Sequence, residues 1–421
     1  MIMKVKPTKK QLEFMDWEFG LFFHFGIRSF YPDHKDWDDK EMSASVFNPE
    51  KLDCDQWIST AKQAGAKYAI LVTKHHDGFA NWPSAYTEYS VKNTPWKDGK
   101  GDVVKEFTDS CRKYGLKVGL YYSPAQWGGI NLKSEPDYDG YFISQISELL
   151  TNYGKIDYLW FDGNGSEGHE YDTARIISAI RSLQPEILIF NMWDPDTRWV
   201  GNEAGYAPME NFNAVSAVDF STNTTSSGEK DVLGEKMFLP AECDFMMRDT
   251  WFDDLNQDKI KSVEELLGIY ELSVGRGANF LINIGPDKNG LLPEKDCERL
   301  LAFGEAVKKR YSSPVEGFSA LKEYSDFGLE NSFCIEHDGN TLVNCIELSE
   351  DLTEGESIRE FKIYSLLPLY RENVVCLYHG HSVGHKRLCT FPTVSASKMI
   401  VQIVSSDGDF KLKDMKAHFI R

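Results

Sequence analysis

From residue 20 to about residue 312, short apolar runs alternate with stretches of helical spacing, and nearly every run ends on a polar or aromatic residue. The runs cover 20–25, 68–73, 117–122, 156–161, 187–191, 237–239 and 279–284. Between them lie helix-like segments such as Trp57, Ala61 and Ala64, and the stretch 103–114. Ser262 followed by Glu265 reads as a capping box, and Pro293 suits a first helical turn. Strand–helix–strand repetition requires parallel pairing with crossover helices, so the sheet is either open and doubly wound or closed into a barrel. His24, His75, His76, Tyr122, Asp162, Asn191, Glu242 and Asn283 stand at the C-terminal ends of the runs. A barrel brings all such ends to one mouth, whereas an open sheet gathers ligands at a switch point. No glycine-rich phosphate motif follows the first run, which further disfavours the nucleotide-binding open sheet. The expected fold is therefore α/β, a TIM-like (β/α) barrel. With seven firm strands, it is expected either to be irregular or to hold its eighth strand inside the poorly patterned span 204–235.

After Tyr311 the texture changes to short alternating runs at 333–336, 341–347, 358–366 and 398–403, separated by Gly, Asn and Asp. This is all-β patterning. The chain is read as a catalytic barrel over 1–312 and a small C-terminal β-sandwich over 313–421. The Gly-, Ser- and Thr-rich piece 221–228 reads as a mobile loop near the mouth.

With 46 Lys and Arg against 65 Asp and Glu, the net charge of −19 repels polyphosphates and anionic lipid. Nucleic acid and membrane are thus not expected partners. No apolar window approaches a membrane span, and the charged start resembles no leader, so a cytoplasmic location is expected, or a periplasmic or secreted one if a leader was removed. Eight scattered cysteines without CxxC pairs argue against a zinc framework or a disulfide scaffold. The 26 Phe, 19 Tyr and 10 Trp are mostly core, but several stand beside polar strand ends, as on surfaces where sugars stack.

Asp162 ends an apolar run and precedes a glycine, which aims a carboxylate into the mouth as a nucleophile or as the partner of a cationic transition state. A helix cap or a structural ion pair is the plain alternative. Glu242, just beyond the run 237–241 and near Asp244, Arg248 and Trp251, is the second candidate carboxylate, its plain reading an ion pair with Arg248. Two carboxylates about 5–5.5 Å apart suit a retaining glycosidase, and about 6.5–9.5 Å an inverting one. His24, His75 and His76 could bind zinc, but neighbours on a strand face opposite ways, so hydrogen bonding to ligand hydroxyls asks less of the backbone. Trp37, Tyr122, Trp160, Trp193, Trp199 and Trp251 offer flat faces to the apolar side of a sugar, such as the methyl group of a deoxyhexose.

The motifs GLFFHFG (20–26), KHHDGF (74–79), LYYSP (120–124), YLWFDG (158–163) and RWVGNE (198–203) together resemble glycoside hydrolase family 29, the α-L-fucosidases. The resemblance spans about residues 10–310. It implies that Asp162 is the nucleophile of a retaining mechanism, that His24, His75 and His76 hold fucose hydroxyls, and that Tyr122 and Trp160 line the fucose pocket. The segment 240–252 resembles the one carrying the acid/base glutamate in the branch specific for α-1,3 and α-1,4 linkages, which gives Glu242 that role. Trp37 and Trp251, for their flat faces, and Arg248, beside Glu242, complete the expected substrate-binding set. The branch usually reads SIRPGW where this chain has MMRDTW (246–251), and Asp253–Asp254 replace Tyr-His, placing extra charge near the expected acid. The implied substrate is a fucosylated oligosaccharide or glycoconjugate, with no cofactor and no metal. The competing readings are a metal-dependent barrel hydrolase using His24, His75 and Asp162, and a fucose-binding lectin on a degenerate barrel.

Overall fold

The computed structural model describes residues 5–31, 37–166, 168–217, 232–253, 259–366 and 373–420; the expected loop 221–228 and Asp254 lie outside the described residues. Helix α1 (Lys9–Trp17) starts at a capping box between Thr8 and Gln11 and sends Phe14 and Trp17 into the floor of a barrel. The strands that follow are β1 (Phe19–Phe23), β2 (Tyr68–Lys74), β3 (Lys117–Tyr122), β4 (Tyr158–Phe161), β5 (Leu188–Phe190) and β6 (Arg198–Trp199). After them come an antiparallel pair, β7 (Ala214–Ala217) with β8 (Val232–Phe238), and then β9 (Ala241–Met246) and β10 (Asn279–Asn283). Eight of these run parallel in the order β5-β4-β3-β2-β1-β10-β9-β6, and a Phe190–Thr197 bridge joins the two edges. Helices α2 (Cys54–Ala64), α3 (Val103–Tyr114), α4 (Tyr138–Asn152), α5 (Thr173–Leu183), α6 (Val263–Ser273) and α7 (Glu294–Tyr311) surround it. Asp53, Asp102, Asp172 and Ser262 cap helix starts as short polar side chains should, and Gly65 and Gly115 end α2 and α3 in the left-handed region.

Strand alternation sorts the barrel into two cores. Leu21, Phe23, Ala69, Leu71, Leu120, Tyr122, Leu159, Phe161 and Ile282 face the helices. Phe22, Tyr68, Ile70, Tyr121, Tyr158, Trp160, Phe190 and Leu281 fill the interior. A one-residue error therefore moves a side chain from one core to the other.

Two strand expectations are corrected. Residues 237–238 end β8 outside the barrel, and the barrel strand is β9, which begins after Pro240. The eighth strand is not within 204–235 but is β6, only two residues long. Neither carries the apolar run that marked the others: β9 alternates acidic Glu242 and Asp244 with apolar residues, and β6 is too short for any period.

Beyond α7 come β11 (Lys322–Tyr324), β12 (Ser332–Glu350), β13 (Ile358–Leu366), β14 (Val374–Gly380), β15 (Arg387–Ser406) and β16 (Leu412–His418), all antiparallel in one sheet. Register shifts in β12 let the long β12–β15 ribbon bend. Ile335 and Val401 from one half then share a core with Leu348 and Met415 from the other, which gives the sandwich its two layers. All eight cysteines are unpaired. Among the described residues no helix is long and apolar enough to cross a membrane.

Candidate active site

The mouth is built by the inward residues at the C-terminal strand ends. Asp162, one residue past β4, shares the inward parity of Tyr158 and Trp160. Its carboxylate accepts the Tyr121 hydroxyl at 2.9 Å and the Asn164 amide at 3.0 Å, and the His76 ring stands 3.5 Å away. Burial opposes its ionisation, but His76 and these donors prevail and hold its pKa down at about 2. Its side chain remains 28% exposed, so the charge can meet a ligand. Behind it, Trp160 stacks between Tyr121 and Phe190, with ring centroids 5.4 and 4.2 Å apart.

The adjacent histidines reach one site because the β2–β3 pairing is irregular between Val72 and Lys74. The irregularity sends Lys74 outward, 4.1 Å from the Tyr122 ring. His75 and His76 then turn inward, with ring centroids 4.3 Å apart. Ser123 gives its hydroxyl hydrogen to Ala125, so it accepts from His76 Nδ1 at 2.6 Å. Arg28 donates to His75 Nδ1 at 3.3 Å, which leaves the His75 proton on Nε2. His24 donates from Nδ1 to Asn283 at 2.7 Å, which leaves Nε2 as an acceptor; burial, partly offset by that bond, lowers its pKa to about 3, so the ring is neutral. One neutral ring that accepts and one that donates match the two faces of sugar hydroxyls. Trp251 lies 4.9 Å from His24, and Trp37 lies 5.3 Å from His76. Gly165 sits at φ +82°, and a Cβ there would fall 1.9 Å from the Trp37 ring, so only glycine allows this wall. Among the described residues no three His, Cys, Asp or Glu side chains gather as a metal set.

The family model for α-L-fucosidases matches residues 3–311. The chain belongs to the α-L-fucosidase family. It is 34% identical to α-L-fucosidase 1 of Arabidopsis thaliana over 94% of this chain and 84% of that protein. A putative α-L-fucosidase from Bacteroides ovatus superposes with a TM-score of 0.89 at 32% identity, covering 100% of this chain and 75% of that one. Another, from Bacteroides thetaiotaomicron, gives 0.88 at 29% identity over 98% and 97% of the two chains. As an α-L-fucosidase the chain is a glycoside hydrolase, and its residues are to be judged by what hydrolysis needs.

Three expected site residues stand elsewhere. Tyr122 is fully buried on the helix side, where its hydroxyl donates to Gln145 at 2.7 Å; Tyr121, not named from the sequence, is the tyrosine of the mouth. Arg248 is clamped by Asp296 of α7 at 2.8–3.1 Å, and the donors to Glu242 are other residues. Glu242 is 0% exposed. Tyr68, Trp160 and Tyr158 donate to it at 2.6, 3.0 and 3.2 Å, in the barrel floor beneath Trp160. It pairs with Asn279, four residues and roughly 13 Å of strand rise below Asn283. A group so enclosed cannot touch a glycosidic oxygen. A carboxylate that does reach the surface is Glu203, in the loop after β6, where an Ala204–Phe245 bridge sets it beside Asp244. Asp244 accepts from Trp199 Nε1 at 2.6 Å, and burial first, then Glu203, pushes its pKa well up.

Two measurable consequences follow. Tyr121→Phe removes a hydrogen bond to a charged group, worth about 1.5–3 kcal/mol, and is expected to lower kcat/KM by roughly 10- to 100-fold. Tyr122→Phe should leave the kinetics unchanged and cost about 1 kcal/mol in denaturant melts. The second consequence concerns Glu242, whose pKa burial raises to about 7 against its three donors. A carboxyl that stays protonated in the fold while the unfolded chain ionises loses stability as pH rises from its unfolded to its folded pKa. Between pH 5 and pH 8 the native protein should therefore lose on the order of 2 kcal/mol more than Glu242→Gln. Parallel urea titrations at both pH values check this, and equal losses would refute the buried-acid reading.

Proposed function

We propose that this chain is an exo-acting, retaining α-L-fucosidase that removes terminal fucose in α-1,3 or α-1,4 linkage from oligosaccharides or glycoconjugates, with Asp162 as nucleophile and Glu203 as acid/base. The observation that carries the reading is the ionised Asp162 at the end of β4, held by Tyr121, His76 and the Asn164 amide at the barrel mouth. In the first step an Asp162 oxygen bonds to the anomeric carbon as the bond to the leaving oxygen breaks, and Glu203 gives that oxygen its proton. In the second step Glu203 takes a proton from water, whose oxygen displaces the Asp162 ester and frees fucose. The nearby negative charge favours the oxocarbenium-like transition state over the ground state, which is the differential stabilisation a catalyst needs. His24 and His75 supply an acceptor and a donor to the sugar hydroxyls, His76 steadies Asp162, and Trp37, Trp160 and Trp251 supply apolar walls. The linkage preference is supported by the likeness of 198–203 and 240–252 to the α-1,3/1,4 branch.

Proton NMR of the first turnovers of an aryl α-L-fucoside tests the mechanism, with α-L-fucose expected before mutarotation; the β-anomer would refute retention. Fucose release from α-1,3- and α-1,4-linked trisaccharides is expected to exceed that from an α-1,2-linked disaccharide. Binding of fucose without any release would favour the lectin, and loss of activity on thorough chelation would favour the metal hydrolase.

A further inference from the structure

The loop that carries Glu203 runs into a segment, 207–214, whose backbone groups are held by the barrel on one side and by the C-terminal sheet on the other. From the barrel, Arg276 donates to the Ala207 carbonyl at 2.6 Å. Arg198, the first residue of β6, donates to Asn211 Oδ1 at 2.7 Å and to the Phe212 carbonyl at 3.0 Å. From the C-terminal sheet, Arg387 donates to the Met209 carbonyl at 3.1 Å, and Ser382 donates to the Asn211 carbonyl at 3.1 Å. Glu356 accepts the Asn213 amide at 2.8 Å and the Ala214 amide at 3.4 Å, and the Arg359 guanidinium lies over the Phe212 ring at 5.0 Å. Arg198, Asn211, Asn213, Glu356, Ser382 and Arg387 are all nearly fully buried. Ordering so many desolvated polar groups is costly unless their geometry is maintained together, and removing one member leaves its partners unpaired in low dielectric.

We propose that Glu356 is a positioning residue for proton transfer: from the C-terminal domain it fixes the 209–214 segment against Arg198 and thereby sets where Glu203 stands at the barrel mouth. The inference rests on the reading of Glu203 as acid/base. The connection is short: Arg198 opens β6, Trp199 next to it holds Asp244, and Glu203 follows four residues later. The C-terminal domain thus contributes to hydrolysis without any of its residues touching the sugar.

The test uses the full-length protein and two aryl α-L-fucosides, one with a nitrophenol and one with a simple phenol leaving group. Glu356→Ala is expected to lower kcat about 30-fold on the phenyl substrate and less than about 3-fold on the nitrophenyl one, a fraction of the general-acid contribution. Glu356→Gln, which keeps an oxygen for the Asn213 amide, should restore both. Added to Glu203→Ala, Glu356→Ala should cost nothing further on the phenyl substrate, because the two act in one chain. If Glu356→Ala fails to fold, Glu356→Asp, which only shortens the reach, carries the same expectation with a smaller ratio. Equal losses on both substrates, or an additive loss in the double variant, would show Glu356 to be structural only and overturn the proposal. Leaving-group dependence seen in Glu203→Ala but absent from the Glu356 variants likewise overturns it. Dependence seen in the Glu356 variants but absent from Glu203→Ala instead removes Glu203 as the acid and leaves the clamp acting on another proton donor.

Discussion

Asp162→Ala is expected to reduce fucose release by roughly 10⁴-fold on activated and unactivated substrates alike, the scale on which removal of one member of a cooperating catalytic set falls. The loss is indifferent to the leaving group because the missing bond to the anomeric carbon is needed whatever departs. The substitution also takes the negative charge away from the His76 ring, which lies 3.5 Å from the carboxylate. A carboxyl held at a pKa of about 2 lends stability that is present above its unfolded pKa and is lost as pH falls through its folded one. At neutral pH that contribution is up to about 2 kcal/mol, so the variant should melt earlier than the parent at pH 7 and nearly with it at pH 2. Initial rates with a nitrophenyl fucoside, taken beside a melting curve at each pH, check both parts. Retention of more than about 1% of the parent rate by a folded Asp162→Ala would remove Asp162 from the role of nucleophile.

The barrel was legible because most strands are buried on both faces and so read as unbroken apolar runs with polar ends. The placement of Asp162 and His24 was legible for the same reason, since a polar side chain just past such a run meets the mouth, whereas the joint inward turn of His75 and His76 comes from the β2–β3 irregularity, which no apolar run announces. Parity was not legible. In LYYSP two tyrosines lie side by side, and only the pleat decides that Tyr121 reaches Asp162 while Tyr122 packs on Phe142 among the helices. The acidic strand β9 hid itself, because Glu242 and Asp244 interrupt the hydrophobicity by which strands are found, and misplacing it by four residues put Glu242 at the mouth instead of the floor. Arg248 sat near Glu242 and Asp244 in sequence, yet its partner Asp296 arrives from α7, some fifty positions on, which no local pattern could reveal.

The two glutamates are separated most sharply by the leaving group. Glu203→Ala is expected to cost about 10²- to 10⁴-fold on a fucosylated oligosaccharide, whose departing alkoxide must be protonated, and less than about 10-fold on a nitrophenyl fucoside, whose phenolate leaves unaided. Glu242→Gln should behave differently. Among the described residues its side chain reaches Asp162 through the Trp160 indole, which it holds at 3.0 Å and which stacks on Tyr121, the donor to Asp162. A disturbance carried that way reaches the nucleophile, not the leaving group, so both substrates should slow by the same factor, about 10-fold. Paired kcat/KM values for the two substrates in each variant decide between the roles. A steep leaving-group dependence in Glu242→Gln with none in Glu203→Ala would exchange them. The floor of the barrel would then have to open during turnover, with Trp160 leaving its stack between Tyr121 and Phe190 to let the proton through.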